Sequence, residues 1–122
     1  LAGGKAMTAA TYNITCEQGS TFVQTLTITD NATPPVARDL STYSGRMQVR
    51  PDIESSTKLL DLTSSGGDIT LNSSGVVVVT VSATNTAALA QGGVYDLEIE
   101  DAGGAVERVI QGTFTLNKEV TR

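Results

Sequence analysis

The sequence predicts an all-β domain, an antiparallel β-sandwich carrying one short helical turn. Three observations carry that reading. Apolar residues recur at every second position through most of the chain, the signature of half-buried strands. Clusters of Gly, Asn, Asp and Ser interrupt these runs about every ten residues, the turn spacing of a sandwich. Aromatics are only 4% of the 122 residues and Trp is absent, so the core must be built from Val, Leu and Ile. Those residues, with the abundant Thr, favour a pleated surface. A hydrophobic fraction of 39% suffices for one core, and the length leaves little room for two domains. An antiparallel barrel is the alternative closure.

Met7-Thr8 reads as a translation start, which makes residues 1–7 an added remnant or disordered N-terminus and 8–122 the single domain. The first strand is expected over Thr11 to Cys16, with Tyr12, Ile14 and Cys16 on one face. After a turn at Gln18-Gly19, Phe22, Gln24, Leu26 and Ile28 share a face until Asp30-Asn31. Pro34-Pro35 then blocks ladder pairing, because proline has no N–H to donate. Val36 to Leu40 is a short extended piece. Ser44 to Arg50 is a better strand, with Met47 and Val49 inward and Arg46, Gln48 and Arg50 outward. Pro51 stops it, and Asp52 to Thr57 is a polar loop. Lys58 to Leu62 and Ile69 to Leu71 are short strands around the turn at Ser64 to Gly67.

Asn72 to Gly75 turns into Val76 to Val81, where valine on both faces marks a central strand. Ser82 to Ala90 is the helical candidate, with Ser82 or Thr84 as cap. Val94 to Glu100 gives the clearest alternation: Tyr95, Leu97 and Ile99 in, Asp96, Glu98 and Glu100 out. Asp101 to Gly104 is a hairpin turn, and Ala105 to Gln111 returns before Thr113 to Leu116 ends the pattern. Short turns between neighbours make most pairings antiparallel.

Composition removes most chemistry. There is no histidine, so the usual base near neutral pH and the Ser-His and Cys-His arrangements are missing. Cys16 is the sole cysteine, which rules out an internal disulfide and leaves a structural zinc site without a ligand set. Its alternation with Ile14 favours a buried apolar role over a reactive thiol. The pairs Gly66-Gly67, Gly92-Gly93 and Gly103-Gly104 are turn glycines, not a phosphate loop. Thirteen acidic against 8 basic residues give a net charge of −5, which repels a phosphate backbone and argues against nucleic acid as a partner. No window is long enough for a membrane span, and Leu1 to Ala10 lacks the apolar stretch of a secretory signal. The expectation is a domain with no catalytic residues, no cofactor and no metal.

Three groups of charged residues remain. Asp96, Glu98, Glu100, Asp101 and Glu107 could hold calcium, but alternating positions on one strand are ordinarily solvated. Arg46 and Arg50, with Gln48 between them, form the one positive stripe. Salt-bridged sheet surface is the plain reading; a partner interface is the sharper one, since arginine is enriched at binding hot spots. Arg108 is expected opposite Leu97, on the inward face, where it needs a carboxylate or carbonyl partner. It serves either structure or a face covered by another subunit. A carbohydrate site would need exposed rings, and only Tyr43 is expected to show one. An enzyme would need a carboxylate pair such as Glu98 and Glu107 in a cleft.

The order Gln18-Gly19-Ser20-Thr21-Phe22, Ile28-Thr29-Asp30, Arg46-Met47-Gln48-Val49-Arg50, Gly67-Asp68-Ile69-Thr70-Leu71, Gly93-Val94-Tyr95-Asp96-Leu97-Glu98 and Arg108-Val109-Ile110-Gln111-Gly112 spans nearly all of the chain after Met7. It resembles the small structural proteins encoded among tail and baseplate genes of tailed bacteriophages. It is also similar to the immunoglobulin-like N-terminal domain of phage baseplate upper proteins, but without their fibre-forming or receptor-binding C-terminal region. The resemblance implies an immunoglobulin-like sandwich and a non-enzymatic virion component, assembled in the host cytoplasm. Its implied partners are other virion proteins, with self-association as a further candidate. Arg46, Gln48 and Arg50 are the residues expected at such an interface.

Overall fold

A computed structural model describes residues 10–30 and 36–121 of the chain. The expected leader over residues 1–7 and the Pro34-Pro35 segment lie outside the described residues. Among the described residues nine strands and one helical turn follow in order: β1 (Ala10–Thr11), β2 (Ile14–Glu17), β3 (Phe22–Thr27), β4 (Ser44–Arg50), β5 (Leu60–Thr63), β6 (Ile69–Leu71), β7 (Val76–Val81), α1 (Ala83–Ala87), β8 (Gly93–Glu100) and β9 (Val106–Asn117). The larger sheet has the order β1-β9-β8-β4-β5, with β2 also on β9; the smaller has the order β3-β7-β6. Among the described residues no helix is long and apolar enough to cross a membrane.

The inward residues of the two sheets meet as an immunoglobulin-like β-sandwich. Met47, Val49, Leu97, Ile99, Ile110 and Phe114 of the larger sheet pack with Phe22, Ile69, Val77, Val79 and Val81 of the smaller in one buried cluster. Phe22 and Phe114 bridge the sheets edge to face, with ring centroids 6.0 Å apart. Leu40 and Leu89, both buried, reach the same core from connecting segments. The valine-rich β7 is the middle strand of its sheet, as two-faced valine predicts. Asp68, Asn72 and Asp101 fold the turns with their own carboxylate or amide oxygens, as in Asn72 Oδ1 accepting from Ser74 N at 2.9 Å.

The expected single strand over Thr11 to Cys16 is two short strands, both paired in parallel with β9. The ladder breaks at Tyr12-Asn13, which face Gly112-Thr113. There the Tyr12 carbonyl accepts from the Tyr95 hydroxyl, and the Asn13 side chain accepts from Thr113 N at 3.1 Å. A Cβ on Gly112 would lie 2.4 Å from the Tyr12 carbonyl oxygen, so only glycine allows this approach. Tyr12 is consequently turned out and 46% exposed, against the expectation that it shares the face of Ile14 and Cys16. Those two are buried as expected.

The expected Ala105–Gln111 and Thr113–Leu116 pieces form one continuous β9. The β8–β9 loop uses five residues, closed by Asp101 N donating to Ala105 O at 3.0 Å. That shifts the register by one: Ile99 faces Glu107 and Glu98 faces Arg108. A bulge between Leu97 and Glu98 then restores the core alternation, with Leu97 opposite Ile110. Arg108 therefore points outward, correcting the inward placement expected from a four-residue turn. Glu107 occupies the inner side instead, where it pairs with Arg38 at 3.1 Å, the two side chains 21% and 15% exposed. Arg38 also donates to the Tyr43 hydroxyl at 3.2 Å and lies over its ring. Tyr43 is half-buried by this stack and packs on the core, so the exposed ring is Tyr12, not Tyr43.

Candidate functional site

The outer face of the larger sheet gathers Arg46, Gln48, Arg50, Asp96, Glu98, Arg108 and Gln111. Period-two alternation along β4 sends Met47 and Val49 into the core and Arg46, Gln48 and Arg50 outward, as expected. Register then decides their neighbours. Arg46 faces Glu98, which faces Arg108 on its other side. Gln48 stands between Asp61 on β5 and Asp96 on β8, and Asp96 faces Gln111. The bulge on β9 is what lets both Arg108 and Gln111 face out, and they share a hydrogen bond of 3.2 Å.

These rows line a groove of about 470 Å³. Val94, Tyr95 and Gly112 also line it, as does Ile53 from the loop after Pro51. Ile53 is 84% exposed. An isolated isoleucine that exposed buries little against its own chain, so it is available to a partner. Sequence reasoning passed over Ile53, although it is the single apolar residue between Pro51 and Thr57. It also missed the contribution of Arg108, Asp96 and Glu98, because their alignment depends on the loop length and bulge.

Hydrogen bonding separates the three arginines of the groove. Arg108 is held by Asp96 at 3.4 Å. Arg50 donates to the Ser55 carbonyl and to Gln48 Oε1, both at 2.9 Å, so it is fixed in place by neutral acceptors and keeps its charge. Gln48 in turn donates to Asp61 at 3.3 Å. Arg46 has neither hydrogen bond nor ion pair among the described residues. Lys58 hydrogen-bonded at 3.2 Å holds the Asp61 carboxyl below the usual carboxylate range, with the Gln48 amide and the Arg46 charge acting in the same direction. Of the two arginines on β4, Arg50 is thus already oriented, while Arg46 has donors to give.

The acidic residues do not assemble. Asp96 is taken by Arg108, Asp101 accepts from Gly103 N and Ala105 N within its turn, and Glu107 lies on the opposite sheet face from Glu98. Glu98 and Glu107, the example of a candidate carboxylate pair, are thus split by the sheet. Among the described residues no three His, Cys, Asp or Glu side chains are grouped to hold a metal. Cys16 is fully buried, and burial followed by the charge of Glu17 pushes its thiol pKa up, which disfavours the reactive thiolate.

No family model and no curated protein matches the chain. Among solved structures it is similar to a chimeric titin Z1Z2 functionalized with a KLER exogenous peptide from decorin, with a TM-score of 0.42, at 14% identity over 91% of this chain and 90% of that one. The fold assignment accordingly rests on the two sheets and their shared core.

Proposed function

We propose that the chain is a non-enzymatic structural module of a tailed-bacteriophage virion, tail- or baseplate-associated or decorating the particle surface, that works through protein–protein contacts. The phage assignment rests on the sequence resemblance. The contact surface rests on one structural observation: the outer face of the larger sheet carries a groove in which Arg46 is unpaired, Arg50 is fixed and Ile53 is exposed. Strand β4 presents the two arginines in a set geometry, so ordering them for binding costs little entropy beyond their own side chains. Symmetry in a particle multiplies such contacts, so each can be modest. The alternative, a carbohydrate-binding or adhesion module, has one exposed ring, Tyr12, to offer as a platform.

The test is mass spectrometry of purified particles of the phage that encodes the chain, with antibody labelling to locate it. The expected result is a fixed copy number per particle at a tail, baseplate or surface position. Particles that lack the chain and remain complete and infectious would refute the proposal.

A further inference from the structure

The groove on the larger sheet is an exception to the charge of the protein. Arg46, Arg50 and Arg108 line it against Asp96 and Glu98, three positive charges facing two negative in a chain of net charge −5. Arg108 and Asp96 neutralise one another. Glu98 lies between Arg46 and Arg108 in the register and closes an ion pair with neither. Arg50 spends its hydrogen bonds on an amide and a carbonyl, neither of which cancels its charge. Arg46 faces Glu98 and acts on Asp61 without closing an ion pair to either, so the groove keeps an excess of one positive charge, and its two β4 guanidiniums stand on one strand face, about 13 Å apart at roughly 3.3 Å per residue. Ile53 adds an exposed apolar side chain to the lining.

We infer that this groove receives an extended acidic segment of a partner protein, with carboxylates over Arg46 and Arg50 and an aliphatic side chain against Ile53. This rests on the reading of the same face as an interaction surface. An extended segment suits the spacing, because side chains four residues apart in a strand lie on one face at the separation of the two arginines. Carboxylates suit the chemistry, since a guanidinium takes them by paired hydrogen bonds, and Arg46 has its donors free. The acidic remainder of the protein repels such a segment elsewhere, which guides it to this face.

The experiment selects a displayed library of random peptides, roughly twelve residues long, against the folded protein. It then measures the affinity of the enriched peptides for the parent chain and for Arg46→Glu, Ile53→Asp and, as a control on the other sheet, Val23→Asp. All three positions are exposed, so matching thermal melts will certify that the variants fold. The expected result is enrichment of Asp or Glu beside Leu, Ile or Val. Affinity should fall about tenfold or more in Arg46→Glu, fall in Ile53→Asp and hold in Val23→Asp. Binding should also weaken with added salt. No enrichment, or enrichment of neutral or basic peptides that still depend on Arg46 and Ile53, overturns the acidic segment but leaves the face as an interface. Enriched peptides indifferent to both substitutions overturn the face as well. A dimer that Arg46→Glu abolishes makes a second copy the occupant and overturns the partner segment. The virion role stands or falls separately, on the particle measurement.

Discussion

Replacing Thr86 with valine tests what joins the helical turn to the sandwich. Thr86 is fully buried in α1, and its hydroxyl accepts from Gly19 N at 3.0 Å while donating to the Ser20 carbonyl at 2.8 Å. These are contacts between residues 66 and 67 positions apart. Valine keeps the shape and removes both bonds, leaving one donor and one acceptor unpaired. An unpaired buried polar group costs about 1–3 kcal/mol. Gly19 is half-buried and Ser20 exposed, so water can reach part of the turn and the low end applies to each. The sum is about 2 kcal/mol, or a urea midpoint roughly 1–2 M lower for a domain of this size. Thr86→Ser keeps the hydroxyl and loses one buried methyl, worth about 0.8 kcal/mol. Urea unfolding followed by circular dichroism should therefore rank the parent above serine and serine above valine. A valine variant as stable as the parent, or more stable than serine, would refute the reasoning and make the site a packing contact.

The Tyr95 hydroxyl is buried, and burial first, with the Tyr12 charge second, pushes its pKa up to about 12. The folded state thus holds its proton more tightly than the unfolded chain does. That stability is complete below the unfolded pKa of about 10 and is lost as pH rises from about 10 to about 12, at roughly 1.4 kcal/mol per unit. Urea midpoints measured across this window should fall, and Tyr95→Phe should flatten the slope. Arg38→Ala and Glu107→Ala should each destabilise. A double-mutant cycle should return a coupling of about 1 kcal/mol, above the typical exposed pair because both side chains are mostly covered; a coupling near zero would remove the pair from the account of the β8–β9 register. Gly75 holds a positive φ of 77°, and a Cβ there would lie 2.6 Å from the Ile28 carbonyl oxygen. Gly75→Ala should lower the melting temperature by several degrees, on the order of 1–3 kcal/mol; an unchanged melt would show the turn to be pliant.

The sequence alone determined the fold class, the strands β4, β6, β7 and β8 to within a residue, the outward stripe of Arg46, Gln48 and Arg50, and a helix cap narrowed to Ser82 or Thr84, of which the structure uses Ser82. Each of these follows from local chemistry. Period-two alternation fixes which side of a strand is buried, and a serine hydroxyl can reach the third residue of a helix wherever the helix sits, as Ser82 Oγ does for Asn85 N at 3.1 Å. What the tertiary structure decided was every feature that depends on register. One additional loop residue between β8 and β9 exchanged the faces of Glu107 and Arg108, because a slip of one residue reverses every side chain. The bulge after Leu97 then returned Ile110 to the core. The parallel attachment of β1 and β2 to β9, with Tyr12 turned out at the break, needed the Tyr95 hydroxyl and the bare Gly112 from distant parts of the chain. The groove belongs to this second class. Its positive stripe is written along β4, and Arg50 is anchored locally by Gln48 and the Ser55 carbonyl, but Asp96, Glu98, Arg108 and Ile53 come to it from other elements.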